Sequence, residues 1–355
     1  MNSKCSTEVI EIPNSIWRRT SHGKDQAQDH LSLLGSTEHG AIVAKPSGFL
    51  SVLPSTWTPY AQLMRLDRPA GFYAFYVPYL IGLGYGACLS QSVPSPGYLL
   101  SRSSLFLVYC VILRGAACAW NDNVDQEFDR QVARTRLRPI ARGAVSTTQG
   151  HIFTLALLLA QIPILMILPV LCTYHAIPMN LLFGAYALMK RITYYPQFFL
   201  GFPFAWAILM SCAALDVDPI GHLRIIPTTS LFIANISWTM IYDTIYAHQD
   251  IRDDIKAGVK SMAIRFANST KELTATLATI QVALLCYTGW QIGLSPVYFI
   301  FTCGGTAIAL GAMIGIVDLK EPSSCAWFFH HGFWYIGGSI TTGFVAEYLT
   351  RLLSN

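Results

Sequence analysis

Asn121, Asp125 and Asp129 recur at i, i+4 and i+8 along Asn121-Asp-Asn-Val-Asp-Gln-Glu-Phe-Asp129. In a helix that spacing stacks an amide and two carboxylates on one face. Such a stripe repels itself unless something positive sits within it, and a hard divalent cation such as Mg²⁺ suits a few carboxylates plus phosphate oxygens. A second set follows in Tyr242-Asp-Thr-Ile-Tyr-Ala-His-Gln-Asp-Ile-Arg-Asp-Asp254, where Asp243, Asp250 and Asp254 again share a helical face. Asp122 and Asp253 sit about 100° off their stripes and rank lower. Each set closes a long apolar run, so each falls at a helix C-terminus, where the macrodipole favours a cation. Carboxylates at a membrane edge are costly and usually functional. Solvated loop acids offset by nearby arginines are the plain alternative; two sets of matched spacing weigh against it.

Cations interleave with these acids. Arg130, Arg134, Arg136, Arg138 and Arg142 follow the first set, and Arg252, Lys256, Lys260 and Arg265 follow the second. Carboxylates for a metal beside Lys and Arg for free oxygens describe a pocket for a phosphorylated ligand. Arg114 lies seven residues before Asn121 inside the preceding apolar run, on roughly the same face, and is expected to line the site because an intramembrane arginine needs a polar surrounding. Arg65-Leu-Asp-Arg-Pro69 and Lys190-Arg-Ile-Thr-Tyr-Tyr195 add cations and phenols at the same level, where snorkelling and an aromatic belt would also place them. The sequence holds no P-loop, no GxGxxG, no Ser/His/Asp pattern and no sign of nucleic-acid binding. The nine cysteines form no CxxC pair and read as small core residues.

Apolar runs must carry these residues. Hydrophobic residues make up 53% of the 355-residue chain and charged residues 12%, against roughly 25% charged in soluble domains. Nine runs have spanning length, near 69–89, 99–120, 151–171, 174–190, 196–215, 226–248, 273–293, 296–317 and 330–350; the fourth is weakest because Pro178 interrupts it. With the N-terminus inside, twenty of the 24 Lys and Arg fall on that side and only Arg102, Arg224 and Arg351 on the other, so both acidic sets are expected at cytosolic helix ends. The expected architecture is all-α and polytopic: a disordered cytosolic tail over 1–56, then a nine-helix bundle over 57–355. The tail carries Glu8, Glu11, Asp25, Asp29 and Glu38, which argues against a mitochondrial presequence.

The stretch Arg114-Gly-Ala-Ala-Cys-Ala-Trp-Asn-Asp-Asn-Val-Asp-Gln-Glu-Phe-Asp-Arg130, with Arg134-Thr-Arg-Leu-Arg-Pro-Ile-Ala-Arg-Gly143, resembles the first signature of the UbiA family of intramembrane aromatic prenyltransferases. Asp243-Thr-Ile-Tyr-Ala-His-Gln-Asp-Ile-Arg-Asp-Asp-Ile-Lys-Ala-Gly-Val-Lys-Ser261 resembles the second, and Arg65-Leu-Asp-Arg-Pro69 and Lys190-Arg-Ile-Thr-Tyr-Tyr-Pro-Gln197 match further segments. The likeness spans about residues 60 to 350.

It implies a helical bundle open on the cytosolic side, in which Mg²⁺ bridges an isoprenyl diphosphate to Asn121, Asp125 and Asp129 and to Asp250 and Asp254. Asp243 and Arg114 are the expected catalytic pair, with Asp243 orienting or deprotonating the aromatic acceptor. Arg65, Arg134, Lys190, Arg191, Tyr194, Tyr246, Lys256 and Lys260 are the expected diphosphate- and substrate-binding residues. Phe72-Tyr-Ala-Phe-Tyr-Val-Pro-Tyr79 and Tyr194–Trp206 are most similar to fungal meroterpenoid members, which implies farnesyl diphosphate as donor, an orsellinic-type aromatic polyketide acid as acceptor, an endoplasmic-reticulum or related membrane, and no obligate protein partner. The mitochondrial 4-hydroxybenzoate polyprenyltransferase of ubiquinone synthesis is the alternative within the family. Outside it stand a polytopic transporter with a cation site, which the one-sided acids disfavour, and a phosphoalcohol transferase, which would need a nucleotide-linked substrate.

Overall fold

The computed structural model describes residues 48–354. The expected polar tail lies outside the described residues up to position 47; Gly48–Val52 then forms a short 3₁₀ turn. Helices follow in the order α1 Thr58–Leu63, α2 Ala70–Leu89, α3 Pro96–Asp129, α4 Thr147–Ala160, α5 Ile162–Ile167, α6 Val170–Ile192 and α7 Pro196–Ala213. After these come α8 Ile225–Ala247, α9 Ile251–Ala257, α10 Met262–Arg265, α11 Thr270–Gln291, α12 Gly305–Ile316, α13 Pro322–Gly332 and α14 Gly338–Ser354. Among the described residues there is no strand.

Helix starts follow local chemistry. Ser95 accepts from the Tyr98 amide ahead of α3, with Pro96 in the first turn, and Ser146 with Gln149 forms a capping box ahead of α4. Gly258 ends α9 in the left-handed region at φ 73°, which a glycine adopts without a Cβ clash.

Among the described residues, seven helical runs are long and apolar enough to cross a membrane: 70–89, 96–129, 147–167, 196–213, 225–257, 270–291 and 296–316. That is two fewer than the nine expected. The expected runs at 174–190 and 330–350 are helical, as α6 and as α13 with α14. His175 and Asn180 dilute the apolar character of α6, and a π-helical turn, Phe333–Gly337, divides the last run.

In lipid, apolar area does not drive helices together, so close approach and packing must. The centre is α7, thirteen of whose eighteen residues are buried and which packs on α2, α6 and α8. Glycines permit this. A Cβ on Gly82 of α2 would stand 2.7 Å from the Ile208 Cα of α7, and one on Gly201 of α7 would stand 3.0 Å from the Ile236 Cα of α8. Large aromatic side chains, among them Tyr79, Tyr85, Tyr109, Trp238 and Tyr298, fill the remaining core. The outcome is a rigid frame in which the ends of α3 and α8 face one cavity.

Candidate active site

The last two turns of α3 present Asn121, Asp125 and Asp129 to a cavity of about 270 Å³, and Asp243, Asp250 and Asp254 line the same cavity from α8 and the turns after it. The two acidic sets, some 120 residues apart in sequence, therefore share one chamber. Arg65, Arg134, Arg138, Lys190 and Lys260 complete its charged end, with Tyr186, Gln197 and Tyr246. Ala117, Leu200, Phe75, Phe183 and Phe204 line the remainder. One end of the cavity is thus ionic and the other wholly apolar.

Each buried carboxylate of the first set is met by a cation, as burial requires. Lys190 Nζ lies 2.8 Å from one Asp125 oxygen and Arg191 Nη1 lies 3.1 Å from the other. Arg138 Nη1 donates to Asp129 at 2.8 Å and reaches Asp122 at 3.2 Å. The segment after α3 folds back so that Arg134 donates from Nε and Nη2 to both Asp250 oxygens, at 2.5–3.0 Å, and from Nη1 to the Tyr246 hydroxyl at 3.2 Å. Arg134 thereby ties the first acidic segment to the second. Burial alone would weaken the charge of Arg138; Asp122 and Asp129 outweigh it and raise its pKa, and Asp250 does the same for Arg134.

Asp122 has a different station. Its side chain is fully buried behind the cavity wall, 2.6 Å from Arg65 Nη2. The 100° offset read from the sequence correctly keeps it out of the lining, yet it anchors two cations that do line the cavity, Arg65 and Arg138. Arg65 itself sits at φ 58°, a left-handed conformation that a non-glycine residue holds only when its surroundings impose it. Those surroundings include Arg114.

Arg114 requires a correction. It is buried in α3, but its guanidinium turns to the carbonyls of Arg65 (3.0 Å) and Arg68 (2.6 Å) and is not part of the cavity lining. The α1–α2 turn supplies the polar surrounding that its membrane depth demands. Lys256 is exposed, Tyr194 is 42% exposed, and neither lines the cavity. Arg191 also lies outside the lining and acts on it through Asp125. Residues that sequence reasoning passed over include Tyr186, which precedes Lys190 by one helical turn on the same face of α6, and Arg138, which was not separable from its neighbouring arginines.

The donor set of the cavity has oxygens to offer a divalent cation. Asn121 Oδ1 is buried without a hydrogen-bond partner among the described residues, and the side chains of Asp243 and Asp254 make no ion pair there. Among the described residues no three His, Cys, Asp or Glu side chains converge as a closed cage. Mg²⁺ needs none, since it keeps water or phosphate oxygens on most positions and takes one or two carboxylates. The oxygens present fit a cation that arrives with a diphosphate.

A bundle of membrane-length helices that closes an apolar chamber under facing carboxylates and cations defines an intramembrane enzyme for an amphiphilic, phosphorylated substrate. The chain belongs to the UbiA prenyltransferase family, whose sequence model matches residues 75–337. It is 36% identical to prenyltransferase ascA of Acremonium egyptiacum over 89% of this chain and 95% of that one. It is also 36% identical to the DMOA farnesyltransferase nvfB of Aspergillus novofumigatus, covering 76% and 84% respectively. The mitochondrial 4-hydroxybenzoate polyprenyltransferase of Saccharomyces cerevisiae is likewise 36% identical, over 86% and 80%. Among solved structures, a UbiA homologue from Archaeoglobus fulgidus bound to GPP and Mg²⁺ shares the fold with a TM-score of 0.60 at 18% identity, covering 82% of this chain and 99% of that one. The protein is a membrane-embedded prenyltransferase.

Proposed function

We propose that the protein transfers a farnesyl group from farnesyl diphosphate to an aromatic carbon of an orsellinic-type phenolic acid, in meroterpenoid biosynthesis. The observation that carries this reading is the division of one cavity into an ionic end, with both acidic sets, and an apolar end. The resemblance to ascA and to the farnesyltransferase nvfB supports the donor and the acceptor class.

In this reading Asn121, Asp125 and Asp129 with Asp250 and Asp254 would hold Mg²⁺. When bound, Mg²⁺ offsets charge that develops on the departing diphosphate. Lys190 and Arg191 release Asp125, and Arg134 releases Asp250, to donate to the diphosphate oxygens; Arg65, Arg138 and Lys260 add to that field. The C–O bond to the allylic carbon breaks with its electron pair going to diphosphate. The apolar end keeps water from the allylic cation until the ring carbon attacks it. Asp243 holds the phenolic proton, or accepts it and returns it, and transfer of the ring proton to the released diphosphate restores aromaticity. Tyr246 orients Arg134. Arg114 serves the site from outside the lining by holding the Arg65 turn, and Tyr194 by placing its ring under the Lys260 ammonium; Lys256 is left on the exposed surface.

The acidic end faces the cytosol in an endoplasmic-reticulum or related membrane, a reading that rests on the Lys and Arg distribution. The equal identity to the yeast 4-hydroxybenzoate enzyme makes that acceptor the necessary comparison. Microsomes carrying the protein are to be given farnesyl, geranylgeranyl and longer prenyl diphosphates with orsellinic-type acids or 4-hydroxybenzoate, and the products identified by mass spectrometry. A farnesylated orsellinic-type product is expected; polyprenylated 4-hydroxybenzoate alone would transfer the protein to the ubiquinone reaction.

A further inference from the structure

The apolar end of the cavity is closed by three rings from three helices: Phe75 of α2, Phe183 of α6 and Phe204 of α7. They meet pairwise, with centroids 5.1 Å apart for Phe75–Phe183, 5.0 Å for Phe75–Phe204 and 5.4 Å for Phe183–Phe204. Such mutual edge and stacked contacts make a continuous plate. The residual 5–8% exposure of these rings belongs to residues that line the cavity.

A turn further from the acidic end the same helices place Tyr79 and Met179, each four residues from its phenylalanine, with Ile208 and Met210 on α7. All four are at most 1% exposed, and the Tyr79 hydroxyl points to the Met179 and Met210 sulfurs at 3.1 and 3.6 Å. Methionine is the side chain that re-packs most readily around a changed shape. The plate therefore divides the cavity from a layer about 5.4 Å deeper that can yield.

We infer that the Phe75–Phe183–Phe204 plate sets the length of prenyl chain that the protein accepts. The inference rests on the prenyl-transfer reading and names its specificity-determining residues. The plate has no polar atom to receive the carboxyl or hydroxyl of a phenolic acid, so the occupant facing it is the hydrocarbon tail. Removing one ring admits a further isoprene unit, and enlarging a ring excludes one. At roughly 0.8 kcal/mol per buried CH₂, one unit more or less in the cavity moves selectivity at least about tenfold.

The test measures kcat/KM for geranyl, farnesyl and geranylgeranyl diphosphates at one fixed acceptor, with thermal shift by each diphosphate as a readout free of turnover. Phe204→Ala, with the milder Phe204→Leu in case the first fails to fold, should shift the kcat/KM ratio at least about tenfold toward geranylgeranyl and raise the thermal shift given by geranylgeranyl diphosphate above that given by farnesyl diphosphate. Phe183→Trp should shift them toward geranyl. Folded variants whose donor ratios stay at the native value overturn the plate's role alone. A native protein that forms no product with any donor overturns the prenyl-transfer reading and the inference with it.

Discussion

Asp125 is held by Lys190 and Arg191 at once and faces the cavity that Asp250 and Asp254 share. Two cations on one buried carboxylate leave it neutralised, and ready to exchange those cations for others when a diphosphate competes for the lysine and arginine. Asp243 lacks any such partner among the described residues, which suits its proposed role of holding a proton of the acceptor. Asp243→Asn is expected to lower kcat by at least about 10²-fold with diphosphate binding retained; loss of binding in a thermal-shift titration would refute that division of labour. Asp122→Ala leaves Arg65 and Arg138 buried beside an empty site and should cost about 3 kcal/mol of stability, read as a lower denaturant midpoint of the purified protein in detergent. A native midpoint would show that the pair it makes is dispensable. Sequence spacing was enough to separate Asp122 from the stripe of Asn121, Asp125 and Asp129, since helical phase is a local property. It could not supply the partners: Arg138 reaches Asp129 across a folded-back segment, and only the tertiary turn at Arg65 explains why Arg114 points away from the cavity.

At the scale of elements, the site depends on two close crossings and one strap. Gly82 and Gly201 let α7 lie against α2 and α8, which brings Phe204 and Gln197 beside the residues of α2 and α8 in the cavity wall. Gly82→Leu overpacks that contact and should destabilise the bundle by about 1–3 kcal/mol, seen as a lower melting temperature in detergent. An unchanged melt would mean that the crossing is looser than a 2.7 Å approach to the Ile208 Cα implies. The strap is residues 130–146, held by Arg134 on Asp250 and by the Asp253 carboxylate accepting from the Ala133 amide at 3.0 Å. Most helix positions were legible because apolar runs of spanning length are a strong signal, and the runs at 69–89, 196–215 and 273–293 fall within three residues of α2, α7 and α11. The count was not legible to the same degree. Two expected spans carry His175 and Asn180, or break at Phe333–Gly337, and burial against neighbouring helices tolerates polarity that a lipid-facing span does not.

As a whole the molecule is a charge-segregated vessel set in a membrane, and its activity should follow from that segregation. With the acidic end in the cytosol, a glycosylation acceptor inserted between α7 and α8, at 214–224, should be modified in endoplasmic-reticulum membranes and one inserted at 130–146 should not. The reverse pattern would invert the bundle and place the diphosphate site in the lumen. In the proposed reaction the two acidic sets would act together on one diphosphate with a divalent cation. Its most direct test is prenyl transfer by purified protein with Mg²⁺, with EDTA and with Mg²⁺ restored, in the native protein and in Asp125→Ala and Asp250→Ala. Turnover that EDTA abolishes and Mg²⁺ restores is expected, with a loss of at least about 10²-fold in either variant. Turnover that persists in EDTA, or that either variant retains at the native rate, would contradict it.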